Sequence, residues 1–276
     1  MLFHFRLTSV DEIEPWTRPS EDNKQFLSWF SLTLGEYWLE VGEVELLRYS
    51  PEVIESWARN YPASRATPHV DYQVCRLWED VLDILPSVLD PLPDDFAHYL
   101  LPGGMWSTWA EWQEWDAKAQ QWMDASDDAD AWKLYHQAIG WRGNRQLDLG
   151  YLRAGPGIWL WRGGDTIHIQ WDNTNILLDG LVAWDAVAGR VSLPVAEFLS
   201  EVWSFSARFL AAMDKRVQEI KAGWARPEVS IDAAQLAQEQ QERSGWLSNA
   251  LSRTGREYEW DEIRAALAEI ETHLSG

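Results

Sequence analysis

Tyr37-Trp38-Leu39-Glu40-Val41-Gly42 and Ile158-Trp159-Leu160-Trp161-Arg162-Gly163 lie 121 residues apart and carry one pattern. Each is a run of aromatic and aliphatic residues closed by glycine, the composition of a strand entering a tight turn. One extra residue, Gly164, shifts the offset to 122, so that Glu43 matches Asp165, Leu47 matches Ile169 and Tyr49 matches Trp171. Further on the offset returns to 121. There Val74, Leu77, Val81 and Val88 fall on Val195, Phe198, Val202 and Phe209, at helical spacing. Identities are few, so chance patterning competes with duplication; an offset shared by two separate elements favours a two-fold internal pseudo-repeat. The expected fold is α+β, with antiparallel β-meanders packed against long amphipathic helices. One domain over 1–225 would contain two halves, about 1–130 and 131–225, with a helical C-terminal extension over 226–276.

Local signals fill in the rest. Residues 3–8 and much of 26–49 read as β structure, with turns at Leu34-Gly35-Glu36 and Gly42-Glu43. Ser50-Pro51 opens a helix with Ser50 as its cap and proline in the first turn. Asp71 is expected to cap a helix that Pro86 kinks or ends. Prolines 91, 93 and 102 with Gly103-Gly104 mark a loop region. Thr108-Trp-Ala-Glu111 has the form of a capping box. Gln146 to Trp171 returns to strands with turns at Gly155-Pro-Gly and Gly163-Gly-Asp. A long helix spans about 194–222, and further helices lie near 232–252 and 259–274.

Composition narrows the function. The 276 residues hold 44 acids against 23 bases, a net charge of −21. Residues 1–130 account for −17 of it and residues 131–276 for −4; within the latter, Arg142, Arg145, Arg153 and Arg162 make 140–163 mildly basic. Nucleic acid and anionic membrane both need a basic footprint, so neither is an expected partner. The acidity suits solubility, or a cationic partner drawn in by complementary charge. A hydrophobic fraction of 46% separates the chain from disordered acidic tails. Early charge at the N-terminus and the lack of a long apolar run lead to an expected cytoplasmic location.

Catalytic signatures are weak. Gly155-Pro-Gly and Arg162-Gly-Gly-Asp read as hairpin turns rather than phosphate loops. No two of the six histidines sit four apart. Asp94, Asp95 and His98 read as capping acids near a surface histidine. The run Asp124, Asp127, Asp128 and Asp130 lacks the glycine and the bidentate glutamate of a calcium loop. The single cysteine, Cys75, reads as an inert packed thiol. No metal and no cofactor is expected.

The chain has 20 tryptophans. By spacing, Trp57, Trp78, Trp203 and Trp260 on helix faces and Trp38, Trp159 and Trp171 on strands are expected in the core. Trp106, Trp109, Trp112 and Trp115 step by three and fan across about half a helix circumference, more than one core contact covers. Trp122 repeats the Trp115 face. Three readings stay open: a helix buried on two sides, a protein interface, or a small-ligand pocket. On the interface reading the site is Trp106, Trp109, Trp112, Trp115 and Trp122 with Glu111, Glu114, Asp116, Asp124, Asp127 and Asp128.

Five motifs together resemble an uncharacterised Trp-rich bacterial family, a domain of unknown function found in actinobacteria and proteobacteria. They are Met1-Leu-Phe-His-Phe-Arg-Leu-Thr, Tyr37-Trp-Leu-Glu-Val-Gly with Leu47-Arg-Tyr, Val70-Asp-Tyr-Gln-Val with Leu77-Trp-Glu-Asp, Asp148-Leu-Gly-Tyr-Leu with Gly155-Pro-Gly and Trp161-Arg-Gly-Gly-Asp, and Val229-Ser-Ile-Asp with Glu239-Gln. The resemblance supplies no catalytic residues. By analogy it suggests the immunity proteins that pair with secreted toxins. The leading expectation is a non-enzymatic binding protein that occludes a basic toxin-like protein. The alternative is a small-molecule binder or hydrolase-type enzyme with a Trp-lined acidic pocket between the halves. A homo-oligomeric scaffold built on the C-terminal helices is a third, weaker option.

Overall fold

In the computed structural model, residues 1–18, 24–61, 67–101, 103–126, 129–253 and 258–275 are described. The chain opens with β1 (Phe3–Leu7), a small ribbon of β2 (Trp16–Arg18) and β3 (Lys24–Phe26), then β4 (Leu34–Val41) and β5 (Val44–Leu46). Helix α1 (Pro51–Asn60) comes next, its first turn capped by the Ser50 hydroxyl, which accepts from the Val53 N–H. Strand β6 (Val70–Gln73) runs without a linker into α2 (Val74–Leu89). Beyond it lie α3 (Asp94–Leu100), α4 (Trp109–Ser126), α5 (Ala129–Gly143), β7 (Ile158–Gly163) and β8 (Thr166–Asp172). A short ribbon of β9 (Leu177–Leu178) and β10 (Leu181–Val182) precedes β11 (Ala188–Pro194), which also runs straight into a helix, α6 (Val195–Ala222). Helices α7 (Ala233–Arg243), α8 (Trp246–Ser252) and α9 (Trp260–Leu274) complete a mixed α+β fold.

All strand pairing within the two main sheets is antiparallel. In the first, β4 pairs with β1 on one edge, while β5 and β6 share the other. In the second, β8 lies between β7 and β11. The strand-to-helix junctions at Gln73–Val74 and Pro194–Val195 are again 121 residues apart. The third strand docks differently, however: β6 pairs with β4, whereas β11 pairs with β8.

Strand β7 is a wall between two cores. Side chains alternate along a strand, so Ile158 and Leu160 enter the larger core with both sheets, α2 and α6. Trp159 and Trp161 enter a second core with α3, α4, α5 and α9. Burial on both faces explains why Ile-Trp-Leu-Trp carries no polar alternation. The segment 226–276 is spread over both cores: α7 packs on α6, α8 on α2, and α9 on α4 and α5. Among the described residues no helix is long and apolar enough to cross a membrane.

Several local expectations are corrected. Gly35 is not in a turn but inside β4, opposite Leu7 and Tyr72. A Cβ there would come within 2.3 Å of the Arg6 carbonyl oxygen, so glycine marks a close approach of β1 rather than a bend. Gly35→Ala should therefore destabilise the fold by about 1–3 kcal/mol in chemical denaturation. Asp71 pairs in β6 and does not cap α2, whose cap position is Gln73. Helix α2 continues through Pro86 to Leu89. β structure ends at Phe26 and resumes at Leu34, with a turn of 3₁₀ helix at Ser31–Thr33 between. Helix α3 forms inside the stretch expected to be a loop.

Candidate functional site

The tryptophans predicted as an interface are mostly interior. Trp106 is 1% exposed and precedes α4 rather than lying on it. Its ring sits 4.9 Å from Tyr99 and Trp115, 5.0 Å from Trp112 and 5.8 Å from Trp141. Trp112 and Trp115 are also buried. Trp109 is half-buried against Trp159 of β7, and Trp122 is half-buried against His273 of α9. Helix α4 is thus packed on more than one side, which accounts for the wide arc. The expectation of an exposed ring cluster is corrected to that extent, and so is the core expectation for Trp203, which is 49% exposed on α6.

The accompanying carboxylates work within the helix pair. Glu111 and Thr108 form the predicted reciprocal cap. Glu114 bonds Lys118 at 2.7 Å, and Asp116 accepts from the Tyr135 hydroxyl at 2.6 Å. Asp124 is exposed. Asp127 and Asp128 lie outside the described residues. Asp95 pairs with Arg264. Two of the four arginines of 140–163 are interior, while Arg153 is exposed and pairs with Asp179. Arg142 is 3% exposed, with its guanidinium over Trp112 at 4.1 Å and Trp159 at 4.6 Å, and burial pushes its pKa down to about 9. Arg145 is buried too, donating to the carbonyls of Trp141 and Asp90.

The site that sequence reading missed lies at the seam between the two sheets. Gly42, at φ +64°, makes the tight β4–β5 turn and projects Glu43. Leu47, just past β5, sits in the left-handed region at φ +66°, a conformation rare for leucine and one that tends to cluster at functional positions. It turns the chain so that Arg48 bridges to His69 and Tyr49 to Trp184. Ser50 then donates its N–H to the Ala183 carbonyl at 3.0 Å and its hydroxyl to the Val182 carbonyl at 2.6 Å. The result is a cleft of about 560 Å³ with Glu40, Glu43 and Glu45 on one wall and Asp185 to Ala188 on the other. Arg48 ties the walls, 2.6 Å from Glu45 and 3.6 Å from Asp185.

Behind the cleft the rings of His4, Trp38 and His69 stack at 5.0 and 4.2 Å. Each histidine meets a glutamate through Nε2, His4 with Glu40 and His69 with Glu45, both at 3.0 Å. Hydrogen bonds from Arg48 and His69 hold the Glu45 carboxyl below the usual carboxylate range. The other nitrogen of His69, Nδ1, is buried with no partner among the described residues, and it is Glu45 rather than His69 that lines the cleft. A second recess of about 280 Å³ shares Glu40 and Gly42 with the first and adds Glu197 and Glu201 of α6. Six carboxylates therefore line the two adjoining recesses, with Arg48 their one basic side chain among the described residues. Such an arrangement can hold cations in an extended row. Among the described residues no group of three or more His, Cys, Asp or Glu side chains is placed to hold a metal ion.

A family model matches residues 2–266, nearly the whole chain. The chain belongs to DUF5984, a family of unknown function. No curated protein and no solved structure matches it. In this DUF5984 chain the cleft residues come from three separate places, 40–48, Trp171 and 185–188, and carry no local motif. The one signal available was the Gly42-Glu43 turn, whose acid the repeat alignment matched with Asp165.

Cys75 is fully buried, with the Thr33 hydroxyl 3.1 Å from its sulfur, and burial pushes its pKa up to about 12. A thiol-reactive reagent should leave it unlabelled at pH 8 in native protein and label it stoichiometrically after denaturation.

Proposed function

We propose that this chain is a non-enzymatic binding protein that neutralises a basic protein partner by covering its surface, in the manner of an immunity protein. The observation that carries this reading is the groove at the seam: six carboxylates against one arginine, on a chain of net charge −21. Complementary charge of this kind steers association and suppresses wrong partners more than it adds affinity. An exposed aromatic also stands ready at the surface. Trp132 on α5 is 58% exposed and meets the His136 ring one turn on at a tilt of 55°, centroids 4.2 Å apart.

Co-purification of the chain from its native host at low salt, with mass spectrometry of the recovered proteins, tests the reading. The expected result is a basic protein whose recovery falls as salt rises, and falls again with Glu43→Gln and Glu197→Gln. Recovering no basic protein at low salt would overturn it.

The cleft volume favours one second reading, a small cationic ligand, since about 560 Å³ is within the range of ligand pockets. Its lining holds one tryptophan, Trp171, rather than several. Calorimetric titration with spermidine separates the two: saturable binding lost with Glu43→Gln supports the small ligand.

A further inference from the structure

We infer that the groove receives its basic partner as an extended segment that adds a strand to the open edge of β11; this rests on the binding reading above. In the second sheet β11 is the outer strand, and among the described residues β8 is its sole strand partner. The register settles which main-chain groups are open. The Asn173 N–H donates to the Val187 carbonyl at 2.6 Å, which makes 187 and 173 a hydrogen-bonded pair of the antiparallel ladder. Bonded and non-bonded pairs alternate, so the N–H and C=O groups of Ala188, Arg190 and Ser192 point away from β8. Pro194 is the next residue in that series and has no N–H to leave unpaired.

The two recesses lie against the two ends of that strand, with Gly189 and Arg190 between them lining neither. The first is lined by Ala186, Val187 and Ala188 opposite Glu43 and Glu45. The second is lined by residues 191–194 opposite Glu40, with Glu197 and Glu201 beside them. An extended chain laid there would have main-chain partners on one side and carboxylates on the other. Strand addition of this type gives affinity through the main chain and specificity through alternate side chains. Alternate lysines or arginines meet the carboxylates here. Trp171, 4% exposed, lines the cleft between the two walls, and its indole N–H has no acceptor among the described residues.

The test uses the full chain and two labelled probes in fluorescence anisotropy at low salt. One is the heptapeptide Lys-Val-Lys-Val-Lys-Val-Lys; the other is its fully N-methylated counterpart, with the same charges and no main-chain N–H. The first should bind at least tenfold more tightly. Its binding should protect the amides of Ala188, Arg190 and Ser192 from hydrogen exchange, and Glu43→Gln with Glu197→Gln should weaken it. Equal binding of both probes, still weakened by those substitutions, would overturn strand addition while leaving charge-driven docking in place. Binding indifferent to the substitutions, or no binding by either probe, would overturn the inference, and the co-purification result would then decide the broader reading by itself.

Discussion

Trp106→Ala should lower the stability of the chain by about 3–5 kcal/mol, the range for removing a large buried aromatic. Domains of ordinary stability hold about 5–15 kcal/mol in all, so this one substitution takes a large share. For a chain of this size it corresponds to a fall in Tm of roughly 10 °C. The reason is position. Trp106 lies within 6 Å of Tyr99, Trp112, Trp115 and Trp141, and its indole joins the α3 end to α4 and α5. Trp132→Ala is the matched control, because that ring is 58% exposed, and it should stay within about 0.5 kcal/mol. Thermal unfolding monitored by circular dichroism reads both. Equal shifts for the two variants would remove Trp106 from the role assigned to it.

The second large effect is expected with pH. Asp80 of α2 is buried and accepts from the Tyr151 hydroxyl at 3.0 Å, which in turn accepts from Tyr37 at 3.2 Å. Burial pushes the Asp80 pKa up to about 8; the Tyr151 hydrogen bond opposes the shift, and the nearby acids Asp148, Asp83 and Glu79 add to it. In the unfolded chain an aspartate titrates near about 3.9. Between about pH 4 and pH 8 the native state thus holds a proton that the unfolded chain has lost. This contribution is fully present below the unfolded value and is lost as pH rises through the folded one, at about 1.4 kcal/mol per unit. Asp80→Asn keeps the shape and removes the proton. Denaturant titrations at pH 5, 6, 7 and 8 should show the variant gaining on the parent by about 2–4 kcal/mol across the series. A constant difference over that range would mean that Asp80 is ionised throughout, and the assignment would fail.

Legibility in the sequence tracks physical range. The β4 and β7 runs, the apolar faces of α2 and α6 and the Thr108–Glu111 cap depend on residues a few positions apart, and their spacing stands in the sequence. The arc of Trp109, Trp112 and Trp115 was legible as a burial problem, though not its solution, because Trp106, Tyr135, Trp141 and α9 arrive from elsewhere. Gly35 misled because glycine in a turn and glycine under a crossing strand look alike in one dimension. Strand β11 gives a weak signal because only Val191 and Leu193 supply apolar side chains to its alternation with Arg190 and Ser192, and Ala188-Gly189 before them carry little. The groove was invisible for a different reason. Glu45 and Asp185 are tied through Arg48, one residue past Leu47, whose left-handed turn leucine ordinarily avoids, and residue type alone does not announce that.

The placement of α9 has a consequence for how the chain is made. The fully buried rings of the second core come from residues 96–161, yet Trp260, Ile263, Leu267 and Ile270 of α9 close it. A ribosome adding about 5–20 residues per second delivers α9 roughly 5–20 s after Trp161. For that interval Trp106, Trp112, Trp115 and Trp141 lack one of their walls. Nascent chains stalled before residue 260 should therefore draw chaperones that grip apolar surface, and release them once α9 has emerged.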